Sequence, residues 1–186
     1  MGRHKPAITV GGQPIVARVL EAVAGLPAVV VGSAEGVPSG TLVVSEDPPG
    51  GGPVAGIAAG WLAIKEQSYA AEPAPSAPDV VVVLAGDLPL LTAGHVEALV
   101  EAVRSALPEQ RVAVTVSSSG PNWLCAAWPS GLLERRLAAV GGPSGVSVKR
   151  LLGHVPRTEI PDAGDVAVDV DTPEELDVAR RRLNEG

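Results

Sequence analysis

Two hydrophobic periods run along this chain. Ile15, Val19, Leu20 and Val23 recur at helical spacing behind Gly11-Gly12 and Pro14, and Gly25 with Pro27 closes that helix. Short apolar runs at 28–31 and 41–44 read as strands. The run Val80-Val81-Val82-Val83-Leu84 has no polar alternation, which predicts a strand buried on both faces of a parallel sheet. Val96, Leu99, Val100, Val103 and Leu107 then share one helix face, with Thr92 placed as the cap. Strands are predicted at 111–116 and 123–128, with short helices near 130–139 and 146–153. Val166-Ala167-Val168 reads as a last strand leading into Asp169-Val170-Asp171, and Thr172-Pro173-Glu174-Glu175 is a capping box that opens the final helix.

Strands alternating with helices predict an α/β fold with right-handed crossovers and a mainly parallel sheet. At 186 residues the chain reads as a single domain, 1–186, with enough length for a full core. Residues 68–79 (SYAAEPAPSAPD) read as a surface linker within it. Phenylalanine is absent and only three Trp and one Tyr occur, so aliphatic side chains must fill the core and stacking platforms for bases are lacking. The net charge of −7 argues against a nucleic-acid partner, which usually selects a basic footprint. No apolar stretch reaches the roughly 18 residues of a membrane helix, and no signal-peptide pattern opens the chain. The single cysteine, Cys125, excludes an internal disulfide and points to the cytoplasm. Lying between Leu124 and Ala126, it reads as a packed thiol rather than a nucleophile.

Three loops carry candidate chemistry. Gly86-Asp87-Leu88-Pro89 ends the Val80 strand, at the crevice beyond the strands' carboxyl ends where open α/β folds bind ligands. Asp87 is therefore either a metal-holding carboxylate or a solvated turn residue before a helix. The stretch from Asp47 to Gly56 is rich in glycine and leads into a helix, so its amides can approach an anion or simply form turns. Asp169 and Asp171 alternate along an extended chain, which puts both carboxylates on one side and makes an oxygen-rich Mg²⁺ site with Asp87 conceivable. A fourth, terminal segment holds Arg3 and Lys5, cations suited to phosphate oxygens or to a frayed basic end. The histidines His4, His95 and His154 lack zinc-ligand spacing, and Trp123 and Trp128 read as core or pocket wall.

Taken in order, these segments resemble the molybdenum cofactor guanylyltransferase branch of the MobA-like nucleotidyltransferases. Met1-Gly2-Arg3-His4-Lys5-Pro6 is similar to the end of the signature loop L-A-G-G-x-S-x-R-M-G-x-D-K-P, and Gly11-Gly12-Gln13-Pro14 to its G-G-x-P turn. Asp47 with Gly52-Pro53-Val54-Ala55-Gly56 resembles the acidic residue and G-P-L-A-G segment. Leu84-Ala85-Gly86-Asp87-Leu88-Pro89 resembles the strand ending in D-M-P, and Asp169-Val170-Asp171-Thr172-Pro173-Glu174-Glu175-Leu176 the closing N-I-N-T-P-E-E-L.

The resemblance implies a three-layer α/β/α Rossmann-like nucleotidyltransferase fold of GT-A type. It implies attack of a molybdopterin phosphate on the α-phosphorus of GTP, with release of pyrophosphate. Lys5 and Asp87 would be catalytic. Lys5, Asp47, Gly52, Gly56 and Asp87 would bind nucleotide, and Asp87 with Asp169 and Asp171 would bind Mg²⁺. GTP and molybdopterin would be the small-molecule partners, with transient contacts to maturation proteins of molybdoenzymes.

Two departures shape the expectation. The family's first strand and the L-A-G-G-x-S-x-R half of its loop have no counterpart, so an upstream start and a weakly stable, poorly soluble 186-residue form are expected. Asp169 and Asp171 stand where guanylyltransferases often carry Asn, which resembles cytidylyltransferases and keeps cytidylyl transfer open as an alternative. A non-catalytic binding module on the same fold is the other alternative.

Overall fold

The computed structural model describes residues 4–70, 78–152 and 154–185. Strands β1 (Thr9–Val10) and β2 (Gln13–Pro14) form an antiparallel hairpin around Gly11-Gly12. These glycines have φ of 59° and 86°, two successive positive values that side-chain-bearing residues rarely adopt. Helix α1 (Ile15–Ala22) follows directly and buries Ile15, Val16 and Val19. Strands β3 (Val29–Val31) and β4 (Leu42–Val44) pair in parallel. Helix α2 (Pro53–Ala70) packs on β3, and a Cβ at Gly60 would lie only 3.2 Å from Val31 Cγ2, so the close approach depends on glycine. The helix reaches three residues into the stretch expected as a linker, while 71–77 lie outside the described residues.

The remaining elements are β5 (Val80–Leu84), α3 (Ala93–Ser105), β6 (Val112–Ser117), β7 (Gly120–Pro129), α4 (Ser130–Val140), α5 (Val148–Leu152), β8 (Arg157–Pro161) and α6 (Pro173–Glu185). Four of these strands form a sheet in the order β5-β7-β6-β8. The sheet is mixed where the hydrophobic pattern predicts a mainly parallel one. β8 runs parallel to β6, but β7 is antiparallel to both β5 and β6. The cause is local: Ser117 pairs with Gly120 across a tight turn, so β7 must return beside β6. β3 and β4 make a separate two-stranded sheet.

Period-two alternation sends each strand's side chains into two cores. Val80, Val82, Leu84, Ala113, Cys125 and Ala127 pack against Val19 of α1 and Val96, Leu99 and Val103 of α3. Val81, Val83, Val112, Val114, Ala126 and Trp128 pack against Trp61 of α2, Leu133 of α4 and Leu151 of α5. Helices thus cover both faces, giving three layers, and this explains why the Val80 run carries no polar position.

A third, small core decides the site. Val170 is packed with Val10, Ile15, Leu176 and Ala179, which joins the β1–β2 hairpin and α6 to the segment bearing Asp169 and Asp171. That segment is not the continuation of a strand at 166–168. The Asp162 carboxylate accepts from the amides of Val166 (2.7 Å) and Ala167 (3.3 Å), taking the donors that a ladder would need. The last strand, β8, lies earlier, where Arg157, Glu159 and Pro161 face solvent and Ile160 packs inward.

Candidate active site

The carboxyl end of β5 gathers three segments that are far apart in sequence. Gly86 admits the first: a Cβ there would sit 3.3 Å from Pro6 Cγ, so the N-terminal segment lies against this turn. Lys5 opens a one-turn 3₁₀ helix, Lys5–Ala7, whose first carbonyl accepts from the amide of Ile8 at 2.9 Å. The second segment is the Gly86–Pro89 turn itself. Arg18 of α1 donates from Nε to the Pro89 carbonyl at 3.0 Å and ties that turn to the hairpin side. The third is 169–171, joined to the turn by the Val170 amide, which donates to the Asp87 carbonyl at 3.3 Å.

With Val170 turned inward, Asp169 and Asp171 both emerge on the solvent side, as their alternation predicts. The Lys5 ammonium donates to Asp171 Oδ1 and forms an ion pair with it. This hydrogen bond is the main reason the Lys5 pKa lies above its usual value; partial desolvation opposes it, and the charges of Asp171, Asp87 and Asp169 reinforce it. Lys5 is therefore a fixed cation. Asp87 is half-buried at the end of the apolar strand, and burial is the largest influence raising its pKa. The negative charge of Asp169 raises it further and that of Asp171 adds slightly, while its own amide and Lys5 pull it down. Four of the residues singled out from sequence thus share one electrostatic neighbourhood: Lys5, Asp87, Asp169 and Asp171.

Asp171 has a different place from the one expected of a metal ligand. Its carboxylate holds Lys5, and among the described residues no three His, Cys, Asp or Glu side chains are arranged to hold a metal by themselves. Among the described residues Asp87, Asp169 and Asp171 are therefore not gathered into a ready-made cage. The donor chemistry still suits Mg²⁺, which takes oxygen ligands and commonly relies on one or two protein carboxylates with substrate phosphates and water. The repulsion between Asp87 and Asp169 is what a bound divalent cation would relieve.

The glycine loop stands apart from this group in its contacts. Asp47 is exposed, the Gly51 carbonyl accepts from the Gly145 amide at 2.8 Å, and a Cβ on Gly56 would face Val31. Gly52 has φ of 86°, and its carbonyl accepts from the Gly56 amide (3.1 Å) in the first turn of α2. Gly51 ties this loop to the 143–146 turn, and among the described residues Asp47, Gly52 and Gly56 make no hydrogen bond or ion pair with Lys5 or Asp87. Arg3 lies outside the described residues.

The capping box forms as spaced. The Glu175 carboxylate accepts from the amides of Asp171 and Thr172, each at 2.8 Å, and Thr172 Oγ1 accepts from the Glu175 amide at 3.2 Å. Thr92 caps α3, accepting from His95. Trp128 is buried core, and Trp123 stacks under the Arg157 guanidinium at 5.6 Å from the ring centre. Cys125 is a fully buried thiol, pushed up to about 11 by desolvation, and it accepts from Thr115 Oγ1 at 3.2 Å. Sequence reading passed over Asn122 and Asp162, the side chains that hold the acid-bearing segment. Asn122 is an ordinary polar residue within β7 and Asp162 one just after β8, and neither periodicity nor spacing distinguishes them.

The chain belongs to the MobA-like NTP transferase domain family, which it matches over residues 1–158. The fold agrees with solved structures of that kind. It resembles molybdopterin-guanine dinucleotide biosynthesis protein A from Archaeoglobus fulgidus, with a TM-score of 0.71 at 17% identity over 100% of this chain and 93% of that one. It also resembles 2-C-methyl-D-erythritol 4-phosphate cytidylyltransferase from Thermus thermophilus, with a TM-score of 0.66 at 15% identity over 97% and 94%. A third is the 4-diphosphocytidyl-2C-methyl-D-erythritol synthase from Anaerococcus prevotii, with a TM-score of 0.63 at 13% identity over 98% and 91%. No curated protein sequence matches the chain significantly. The architecture is a Rossmann-like nucleotidyltransferase fold, and the chain is a nucleotidyltransferase of the MobA-like family. Among the described residues no helix is long and apolar enough to cross a membrane.

Proposed function

We propose that this protein transfers GMP from GTP to molybdopterin and releases pyrophosphate. The observation that carries the reading is the Lys5 cation set among Asp87, Asp169 and Asp171 at the carboxyl end of β5, in a chain of this family. An acceptor phosphate oxygen forms a bond to the α-phosphorus of GTP as the bond to the β-phosphate oxygen breaks, and the leaving pyrophosphate carries away the electron pair. Such a reaction asks for positioning and charge stabilisation more than for covalent chemistry. Lys5 supplies positive charge beside the reacting phosphates, exchanging its Asp171 partner for a phosphate oxygen. Asp87 and Asp169 would hold Mg²⁺, which supplies charge neutralisation to the triphosphate when bound. Asp47, Gly52 and Gly56 would receive the guanine nucleotide along the loop that enters α2. The site would work in the cytoplasm on small molecules.

Support for guanine comes from the Gly52-Pro53-Val54-Ala55-Gly56 loop and from the likeness to the Archaeoglobus protein. The acid pair Asp169 and Asp171, together with the likeness to cytidylyltransferases, favours the second reading, cytidylyl transfer to a small phosphorylated acceptor. Pyrophosphate release measured with GTP and with CTP, each with molybdopterin and Mg²⁺, tests the two. GTP-dependent release is expected; release with CTP alone would overturn the guanylyl reading.

A further inference from the structure

Residues 162–171 cross the carboxyl end of the sheet from β8 to β5, and they are tied down at each strand they pass. The Asp162 amide donates to the Val116 carbonyl of β6 at 2.9 Å. The Asn122 side-chain amide of β7 donates to the Ala167 carbonyl at 2.8 Å. The Val170 amide donates to the Asp87 carbonyl just beyond β5 at 3.3 Å. Asp169, the acid that repels Asp87, lies between the last two ties. Its place is therefore set from β7 as well as from β5.

Asn122 owes its position to an irregularity in the sheet. In the β6–β7 ladder Val114 pairs with Ala126 but the next residue, Thr115, pairs with Asn122, so Trp123, Leu124 and Cys125 bulge out of register. The Asn122 carbonyl oxygen accepts from the Leu124 amide at 3.0 Å, supplying a partner inside the bulge. That leaves the Nδ2 group turned to Ala167. The two ends of one side chain thus do opposite jobs, one accepting and one donating, which neither Asp nor Leu can do.

We propose that Asn122 is a positioning residue for the active site, setting Asp169 against Asp87 through its bond to the Ala167 carbonyl. The role rests on the nucleotidyl-transfer reading for its catalytic consequence, but the positioning itself is a property of the chain alone. Ala167 is buried in the main core and Val170 in the small one, so the stretch between them has little slack. Loss of the Asn122 donor would release its middle.

Asn122→Asp isolates the role, because it keeps the acceptor for Leu124 and replaces the donor to Ala167 with a repelling oxygen. Two measurements are made on it: amide hydrogen exchange of the full chain, and steady-state kinetics of pyrophosphate release with GTP or CTP. Exchange of the Val170 amide should quicken by about tenfold, while the β5 amides Val81 to Val83 stay protected. With the acids displaced, kcat should fall by about ten- to a hundredfold, with the KM for nucleotide changing little. Asn122→Ala gives the same readings should the Asp variant not accumulate. Unchanged Val170 exchange in either variant would overturn the proposal, as would faster exchange with an unchanged kcat. Wild-type protein without turnover on any nucleotide would count against the functional reading, and Val170 exchange alone would then decide whether Asn122 holds the segment.

Discussion

The Lys5 ammonium is hydrogen-bonded to the Asp171 carboxylate, 166 positions along the chain, and this pair closes the candidate site over the carboxyl end of β5. Its exposure makes it a poor source of stability, since exposed ion pairs typically contribute little. Its value lies in the place it gives the cation. Lys5→Ala should therefore leave the thermal midpoint nearly unchanged while lowering kcat by about a hundredfold, in the range found for lost transition-state donors. Parallel melting curves and pyrophosphate-release assays check this; a large fall in Tm with modest loss of rate would show a structural role instead.

Asp87 behaves oppositely in stability. Its folded pKa is raised above the ordinary 3.8, mainly by burial. The ionised form is thus disfavoured in the fold, and stability is lost as pH rises from the unfolded value through the folded one. Asp87→Asn should reduce kcat by about a hundredfold or more and should not lower Tm at pH 7. Melting the variant and wild type between pH 3 and 7 reads the sign: the difference should grow in the variant's favour as pH rises. An active Asp87→Asn enzyme would refute its role in the reaction.

Glu175 has a lowered pKa because the amides of Asp171 and Thr172 donate to its carboxylate. For a depressed acid the stabilisation is present above the unfolded value, 4.5, and is lost as pH falls through the folded one. Thr172→Ala, which removes the reciprocal bond, should cost about 1 kcal/mol, as N-cap losses do. Urea unfolding at pH 7 measures that cost.

His95 tests the interior. Its Nε2 lies 2.8 Å from Thr115 Oγ1, and burial lowers its pKa below 6.5, with the Asp162 charge opposing. The unfolded chain then binds this proton more readily, so stability falls as pH drops below about 6.5. His95→Gln should flatten the dependence of Tm on pH between 7 and 5. The neighbouring Cys125 thiol, buried and raised to about 11, should react with a thiol reagent at pH 8 only as fast as the protein opens. Rapid labelling of the native protein would contradict that packing.

Much of the fold was legible because its rules act over two to four residues. The unbroken apolar run Val80–Leu84 showed that both faces are covered, helical spacing located α1 and α3, and Thr172 with Glu175 marked the start of α6. Two expectations failed for a related reason. Val166-Ala167-Val168 has strand-like side chains, but Asp162, four residues upstream of Val166, takes its amides. The sheet as a whole was expected to be mainly parallel, and the antiparallel direction of β7 follows from the Ser117–Gly120 turn rather than from its apolar pattern. Of the candidate residues, Lys5, Asp87, Asp169 and Asp171 were singled out by their motifs and do converge, while Gly52 and Gly56 make their contacts within the loop and against β3.

By itself the sequence determined the elements, the faces they bury and the residues with chemistry to offer, since period, capping and turn preference are written within a few neighbouring positions. Only the tertiary structure decided which of those residues meet. Lys5 reaches Asp171, and Val170 reaches Asp87, because the strand order brings distant loops to one end of a sheet. Asn122 could be recognised only there. Its significance comes from the out-of-register bulge in β7 and from the segment that crosses above it, and neither exists until the sheet has formed.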